Sequence, residues 1–252
     1  MSANRKTLYA LITHQGAEPV ARMLAWWRDF AEEDQLLVLH GGTPGDFSAL
    51  AHPFKSYIDD PRLRTTDHQR EMQSYTAIYH AIATFLRAHE EFDRVFIAEY
   101  DHVPLDRNFD THLRLRLERE KADMIGCAVS RVDGTNFPHY LQAIAVPGFC
   151  EFWKKTTLRE EPEVVLSMLG TGSFWTREAL VEMGSHGEPF PIYHELYVPT
   201  LVHHLGFRIR PLGGGQEQFV QPLGDLTAEV KQYQTAGAWT LHPVKRMWLQ
   251  DS

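Results

Sequence analysis

Residues 95–105 read VFIAEYDHVPL, and the meaning of this stretch sets the fold. Val95, Phe96, Ile97 and Ala98 make an unbroken apolar run, as found in the interior strand of a sheet covered on both faces. Glu99, Tyr100, Asp101 and His102 follow at once, and Pro104 ends the run. Strand side chains alternate, so Glu99 and Asp101 are expected on one side and Tyr100 on the other. In open parallel sheets, ligands gather beyond the carboxyl ends of the strands. Two readings stand for the acidic pair. The carboxylates are solvated and cap the next turn, or they share a cation that relieves their repulsion and bridges to diphosphate oxygens.

The segments before this strand repeat one pattern. TLYALITHQ (7–15) reads as a buried strand, EPVARMLAWWRDFAEE (18–33) as an amphipathic helix, and QLLVLHGG (35–42) as a strand ending in a glycine turn. PFKSYIDD (53–60) is a third strand, and residues 69–90 carry Met72, Tyr75, Ile78, Tyr79, Ile82, Phe85 and Leu86 at helical spacing. Strand and helix thus alternate up to residue 101, which predicts an α/β fold with a mostly parallel sheet flanked by helices on both faces. The second half is more mixed. ADMIGCAVS (122–130) and YLQAIAVPG (140–148) read as strands, GFCEFWKKTT (148–157) as a short helix, and GTGSFWTREALVEMG (170–184) as a glycine turn leading through aromatics into a helix. YHELYVPTLVHHLGFRIRPL (193–212) reads as helical to Gly206 and extended beyond it.

The chain has 252 residues and no linker-like tract, so a single domain over 1–252 is expected. Hydrophobic residues at 43% and charged residues at 23% are those of an ordinary globular protein. A net charge of −8 with no basic stripe argues against a nucleic-acid partner. It leaves room for a phosphorylated small molecule at a locally positive site. Cys127 and Cys150 lack metal-ligand spacing and read as structural thiols of a reducing compartment. No apolar run approaches the ~18 residues of a membrane span, so a cytoplasmic location without an integral membrane segment is expected.

Four segments, in order, resemble the GT-A fold glycosyltransferases, the nucleotide-diphospho-sugar transferases, and among them the inverting family-2-like enzymes. EYD (99–101) is similar to their acidic D-x-D signature, with Glu99 in the first place. GTGSFWTREAL (170–180) is similar to the glycine-rich loop facing donor sugar and acceptor. HELYVPTLVHHLGFRI resembles the segment where an acidic pair opens a helix, Glu195 and Gly206 keeping the family's spacing. LHPVK places His242 where the family carries a carboxy-terminal metal-binding histidine. Two departures stand out: Glu99 is one methylene longer than aspartate, and His194 occupies the first place of the acidic pair.

The resemblance implies a nucleotide-binding half over about 1–105, an acceptor-side half over about 106–252, and a sugar transferred from a nucleotide-diphosphate sugar to the hydroxyl of an acceptor: a saccharide, a lipid-linked acceptor or a small molecule. Asp101, His242 and Glu99 are the implied ligands of Mn2+ or Mg2+, whose mixed carboxylate and imidazole shell suits those ions better than calcium. Glu195 is the implied general base of an inverting transfer. Pro199, best tolerated in a first helical turn, puts Glu195 at the amino end of its helix, where the dipole favours the ionised form. Thr13, His14, Asp59, Glu99, Gly172 and Lys245 are expected about the nucleotide and its phosphates, with Gln69 and Arg70 reaching sugar or phosphates. His102 is expected behind the ligands, and Ser173, Phe174 and Trp175 as a sugar platform, one of the two aromatics being core. Two alternatives share the layout: a sugar-phosphate nucleotidyltransferase, against which LITHQGAEPVARM lacks a glycine-rich phosphate loop, and a non-catalytic nucleotide-sugar-binding protein.

Overall fold

The computed structural model describes residues 5–65, 67, 70, 73, 75–187 and 191–248. Gln69 and Met72 lie outside the described residues. The first half alternates as its periodicity predicts: β1 (Lys6–Thr13), α1 (Ala17–Trp27), β2 (Leu36–His40), α2 (Pro44–Ala49), β3 (Lys55–Tyr57), α3 (Tyr75–Ala88) and β4 (Phe92–Glu99). There follow β5 (Val103–Pro104), α4 (Phe109–Arg119), β6 (Met124–Gly126), β7 (Ser130–Arg131), α5 (Pro138–Ile144), α6 (Phe149–Thr156), β8 (Leu166–Ser167) and β9 (Ser173–Thr176). The chain continues through α7 (Arg177–Met183), α8 (His194–His204), β10 (Ile209–Pro211), α9 (Val230–Thr235) and β11 (Thr240–Leu241).

A seven-stranded sheet in the order β10-β6-β9-β4-β1-β2-β3 forms the centre. All its pairings are parallel except those of β9, which runs antiparallel between β4 and β6. This is the α/β architecture with a mostly parallel sheet expected from the sequence. Alternation sorts the strand residues onto two cores. Leu8, Ala10 and Ile12 of β1 join Val95 and Ile97 of β4 under α3, α7 and α8. Tyr9 and Leu11 join Phe96 and Ala98 under α1 and α4. Both faces of the sheet are therefore covered, which is why β1, β2 and β4 read as continuous apolar runs.

Three expectations are corrected. Residues 140–148 are not a strand: Pro138 opens α5, a position where its missing N–H costs nothing. Phe174 and Trp175 are both fully buried, one on each face of β9, so neither is a platform. Ser173 is buried with them and accepts the indole N–H of Trp175 at 2.8 Å. Of the two cysteines, Cys127 is buried and Cys150 is exposed, so only the first is a structural thiol. Among the described residues no helix is long and apolar enough to cross a membrane.

Candidate active site

β4 carries Glu99 out of the sheet, and a tight turn closed by the His102 N–H on the Glu99 carbonyl (2.9 Å) follows at once. Asp101 sits in that turn, not in line with the strand, so the turn brings the two carboxylates together. The chain then enters β5, which pairs antiparallel with β11, Val103 opposite Leu241. This pairing sets His242, distant in sequence, beside Asp101, and the Val244 N–H donates to the Asp101 carbonyl at 2.9 Å.

Glu99, Asp101 and His242 thereby offer three ligand atoms within 4.8 Å of one another. His242 Nε2 lies 3.4 Å from Asp101 Oδ1 and 4.0 Å from Glu99 Oε2. Asp101 is 4% exposed and His242 6%, so these charges meet with little water between them. The Nδ1 of His242 donates to the Gln221 carbonyl at 2.7 Å, which fixes the tautomer and turns the Nε2 lone pair toward the acids. While His242 is neutral its Nε2 carries no proton for Asp101 Oδ1, and no other donor among the described residues reaches that oxygen. A buried carboxylate oxygen without a donor is costly, and a cation held by these atoms removes that cost. Burial pushes the His242 imidazole down, yet Asp101 and Glu99 beside it push harder and its proton affinity ends up raised. The cluster is thus built around positive charge. Two carboxylates and an imidazole so grouped are a donor set that would suit Mn2+ or Mg2+.

His102 is fully buried against this cluster, its ring 5.5 Å from that of His242 and Nδ1 3.1 Å from Thr171 Oγ1. Burial and the neighbouring His242 hold it well below its ordinary value, so it stays neutral behind the ligands. Gly172, at φ +74°, packs directly on it: a Cβ there would lie 2.4 Å from His102 Cε1. Gly172 therefore makes room for His102 and, unlike its neighbours Gly170 and Thr171, does not line the cleft.

Glu195 occupies the first turn of α8, but the expected cause is corrected: Pro199 lies inside the helix. Proline has no N–H to offer the Glu195 carbonyl one helical turn back. That carbonyl accepts the Met168 N–H instead (3.0 Å), and Glu195 Oε1 accepts the Gly170 N–H at 2.7 Å. The proline thus turns Glu195 into a two-point anchor for residues 168–170. Its carboxyl is not held ionised by the helix dipole. Burial pushes it up to about 7; the Gly170 and Tyr193 hydrogen bonds and the His242 charge pull it down, while Glu99 adds to the rise. A carboxyl poised near neutrality serves proton transfer at neutral pH.

Glu99, Asp101, His242, Glu195, Gly170, Thr171 and Lys245 line one cleft of about 420 Å³. The same cleft takes in Phe137, His139, Leu169, Tyr193, Pro222 and Leu223, none of which the sequence reading singled out. Tyr193 lies two residues before Glu195 and Phe137 caps α5, the helix that runs into the misread 140–148 segment, yet only the fold brings them together. His194, in the place of an acid, is buried and packs on Gly170, whose Cβ would meet His194 Nε2 at 2.3 Å.

The other residues expected at the nucleotide do not line this cleft. Thr13 and His14 leave the carboxyl end of β1, which pairs with β4 through Ile12 and Glu99, so they share the cleft's edge of the sheet. Thr13 Oγ1 accepts the Gln15 N–H at 3.1 Å, and His14 meets Tyr100 edge-on at 5.3 Å. Asp59, beyond β3, is ion-paired to Arg64 at 2.9 Å. Arg70 is exposed, its N–H bonded to the Asp67 carbonyl at 3.1 Å. A second depression of about 410 Å³ at edge strand β10 is lined by Arg131, Arg159, Arg208 and Arg210. Arg131 there is committed to Asp133 and Glu161, and Arg159 to carbonyls at the end of α8. The chemistry concentrates in the first cleft.

No family model matches the chain, and no curated protein matches it in sequence. Among solved structures, it is similar to A197 from STIV (TM-score 0.40, 11% identity, 82% of this chain and 81% of that one). It is similar to core-mannan synthase A from Aspergillus fumigatus in a Mn/GDP form (0.43, 8%, 81% and 72%). It is also similar to the mannosyltransferase PcManGT from Pyrobaculum calidifontis in complex with GDP-Man and Mn2+ (0.44, 16%, 83% and 55%), of which it spans little more than half. At this level of overlap the neighbours carry no argument about activity, which rests on the cleft.

Proposed function

We propose that the chain is a metal-dependent glycosyltransferase that moves a sugar from a nucleotide-diphosphate sugar to an acceptor hydroxyl, with inversion. One observation carries this reading: Glu195, a carboxyl that burial pushes up to about 7, shares a cleft with a Glu99–Asp101–His242 cluster whose Asp101 and His242 are buried and whose Glu99 is half-buried. Asp101, His242 and Glu99 would hold Mn2+ or Mg2+. When bound, the ion offsets the negative charge that gathers on the leaving diphosphate. Lys245, at the same cleft, adds a cation for those phosphates. His102, itself neutral, packs behind His242. Thr13, His14 and Asp59, along the carboxyl ends of the first strands, border base and ribose; Arg70 is a more distant phosphate contact.

Glu195 takes the proton of the acceptor hydroxyl as its oxygen bonds to the anomeric carbon. The Gly170 N–H holds the carboxylate in place, and attack opposite the departing diphosphate inverts the centre. Thermal shift with nucleoside diphosphates and their sugars, with and without Mn2+, tests the reading. We expect a metal-dependent shift for one base, turnover of the matching nucleotide sugar, and in Glu195→Gln the shift without the turnover. Absence of any metal-dependent shift, or full turnover by Glu195→Gln, overturns it.

A further inference from the structure

We propose that the acceptor is a neutral saccharide whose pyranose ring lies on Tyr193, backed by the stacked ring of His139, an assignment that rests on the transferase reading of the same cleft. The two rings are stacked, 4.2 Å between centroids and 8° from parallel. Phe137 meets His139 edge-on at 5.4 Å and 73°. They come from two segments, Phe137 and His139 at the start of α5 and Tyr193 at the amino cap of α8. Each ring fixes the other, so the surface is rigid before any ligand arrives, and little ordering entropy remains to oppose binding.

The cleft's composition selects among acceptor classes. Glu99, Asp101 and Glu195 line it against Lys245 and His242, so the lining offers an anionic acceptor no surplus of positive charge. A pyranose carries apolar C–H faces inside a polar rim. Aromatic faces suit the first, and the Tyr193 hydroxyl, the His139 ring nitrogens and Glu195 suit the second. Leu223 lines the same cleft with 77% of its surface exposed, a large apolar side chain left to cover a second sugar face. Placement connects the platform to the chemistry: the Tyr193 side chain hydrogen-bonds Glu195. A ring resting on Tyr193 therefore brings one of its hydroxyls to the base.

Saturation-transfer NMR with methyl α- and β-hexopyranosides of gluco, manno and galacto configuration provides the test, in Mn2+ and the nucleoside diphosphate that gives the thermal shift. At least one glycoside should receive saturation, strongest at its ring C–H protons. His139→Ala and Tyr193→Ala should each weaken it roughly tenfold, as loss of an aromatic contact of about 1.4 kcal/mol implies. His139→Phe and Tyr193→Phe, which keep the rings, should bind within about threefold of wild type on the same scale. The nucleotide shift is measured on the same samples. If that shift is present and no glycoside receives saturation, or if both alanine variants bind as well as wild type, the acceptor assignment is overturned while the transferase reading stands. If the wild type shows no metal-dependent nucleotide shift, the transferase reading itself fails.

Discussion

Replacing Glu195 by glutamine should make the protein more stable at alkaline pH while removing its turnover. Burial raises this carboxyl from its ordinary 4.5 to about 7. An acid whose proton affinity is higher folded than unfolded binds more protons in the folded state between those values, so stability falls as pH rises through them. Each pH unit of that interval is worth about 1.4 kcal/mol, so the native state loses about 3 kcal/mol once both forms are ionised. Glutamine keeps an oxygen for the Gly170 N–H and does not titrate. For a chain of this size 1 kcal/mol moves the melting temperature by about 2–4 °C, so the variant should gain roughly 6–12 °C over wild type at pH 8. The gain should be near zero at pH 4.5. Differential scanning calorimetry in EDTA, at half-unit steps from pH 4.5 to 8, reads the difference directly. A difference that stays flat across this range would refute the assigned burial and protonation of Glu195.

Gly172→Ala should destabilise the protein by about 1–3 kcal/mol, because φ is +74° there and the new methyl meets His102; urea unfolding checks it, and an unchanged midpoint counts against the packing described. Pro199→Ala returns an N–H to the Glu195 carbonyl, so exchange at the Met168 and Gly170 amides should quicken in hydrogen-exchange NMR; unchanged rates would deny the proline its role. Phe174→Ala should cost about 3–5 kcal/mol as a core deletion, and at a temperature where the variant remains folded its Mn2+ affinity should match wild type. A large loss of Mn2+ affinity there would place the aromatic at the site after all.

The layout of the first half was legible because β1, β2 and β4 are buried on both faces, and such strands appear as plain apolar runs between helical periods. Asp101 and His242 could be paired only through the resemblance, since their meeting depends on β5 finding β11 across the chain. Residues 140–148 misled because YLQAIAV supports either period, and only Pro138 at the helix start decides. Phe174 and Trp175 resembled a platform because nothing local shows that Ser173–Thr176 inserts between two other strands. Pro199 misled for a different reason: its missing hydrogen bond is replaced from Met168, a partner that local rules cannot supply. The stack of His139 on Tyr193 joins two segments far apart in sequence and has no local signal at all.

Mn2+ titration followed by electron paramagnetic resonance, on wild type, Asp101→Asn and His242→Ala, addresses the cation most directly. Wild type should bind one Mn2+ per chain, and each substitution should weaken binding by about tenfold to a hundredfold or more, as removal of a direct ligand exceeds the loss typical of an outer-shell partner. Binding that is unchanged in both variants, or absent from the folded wild type in the presence of every nucleoside diphosphate, would contradict a cation shared by Asp101 and His242.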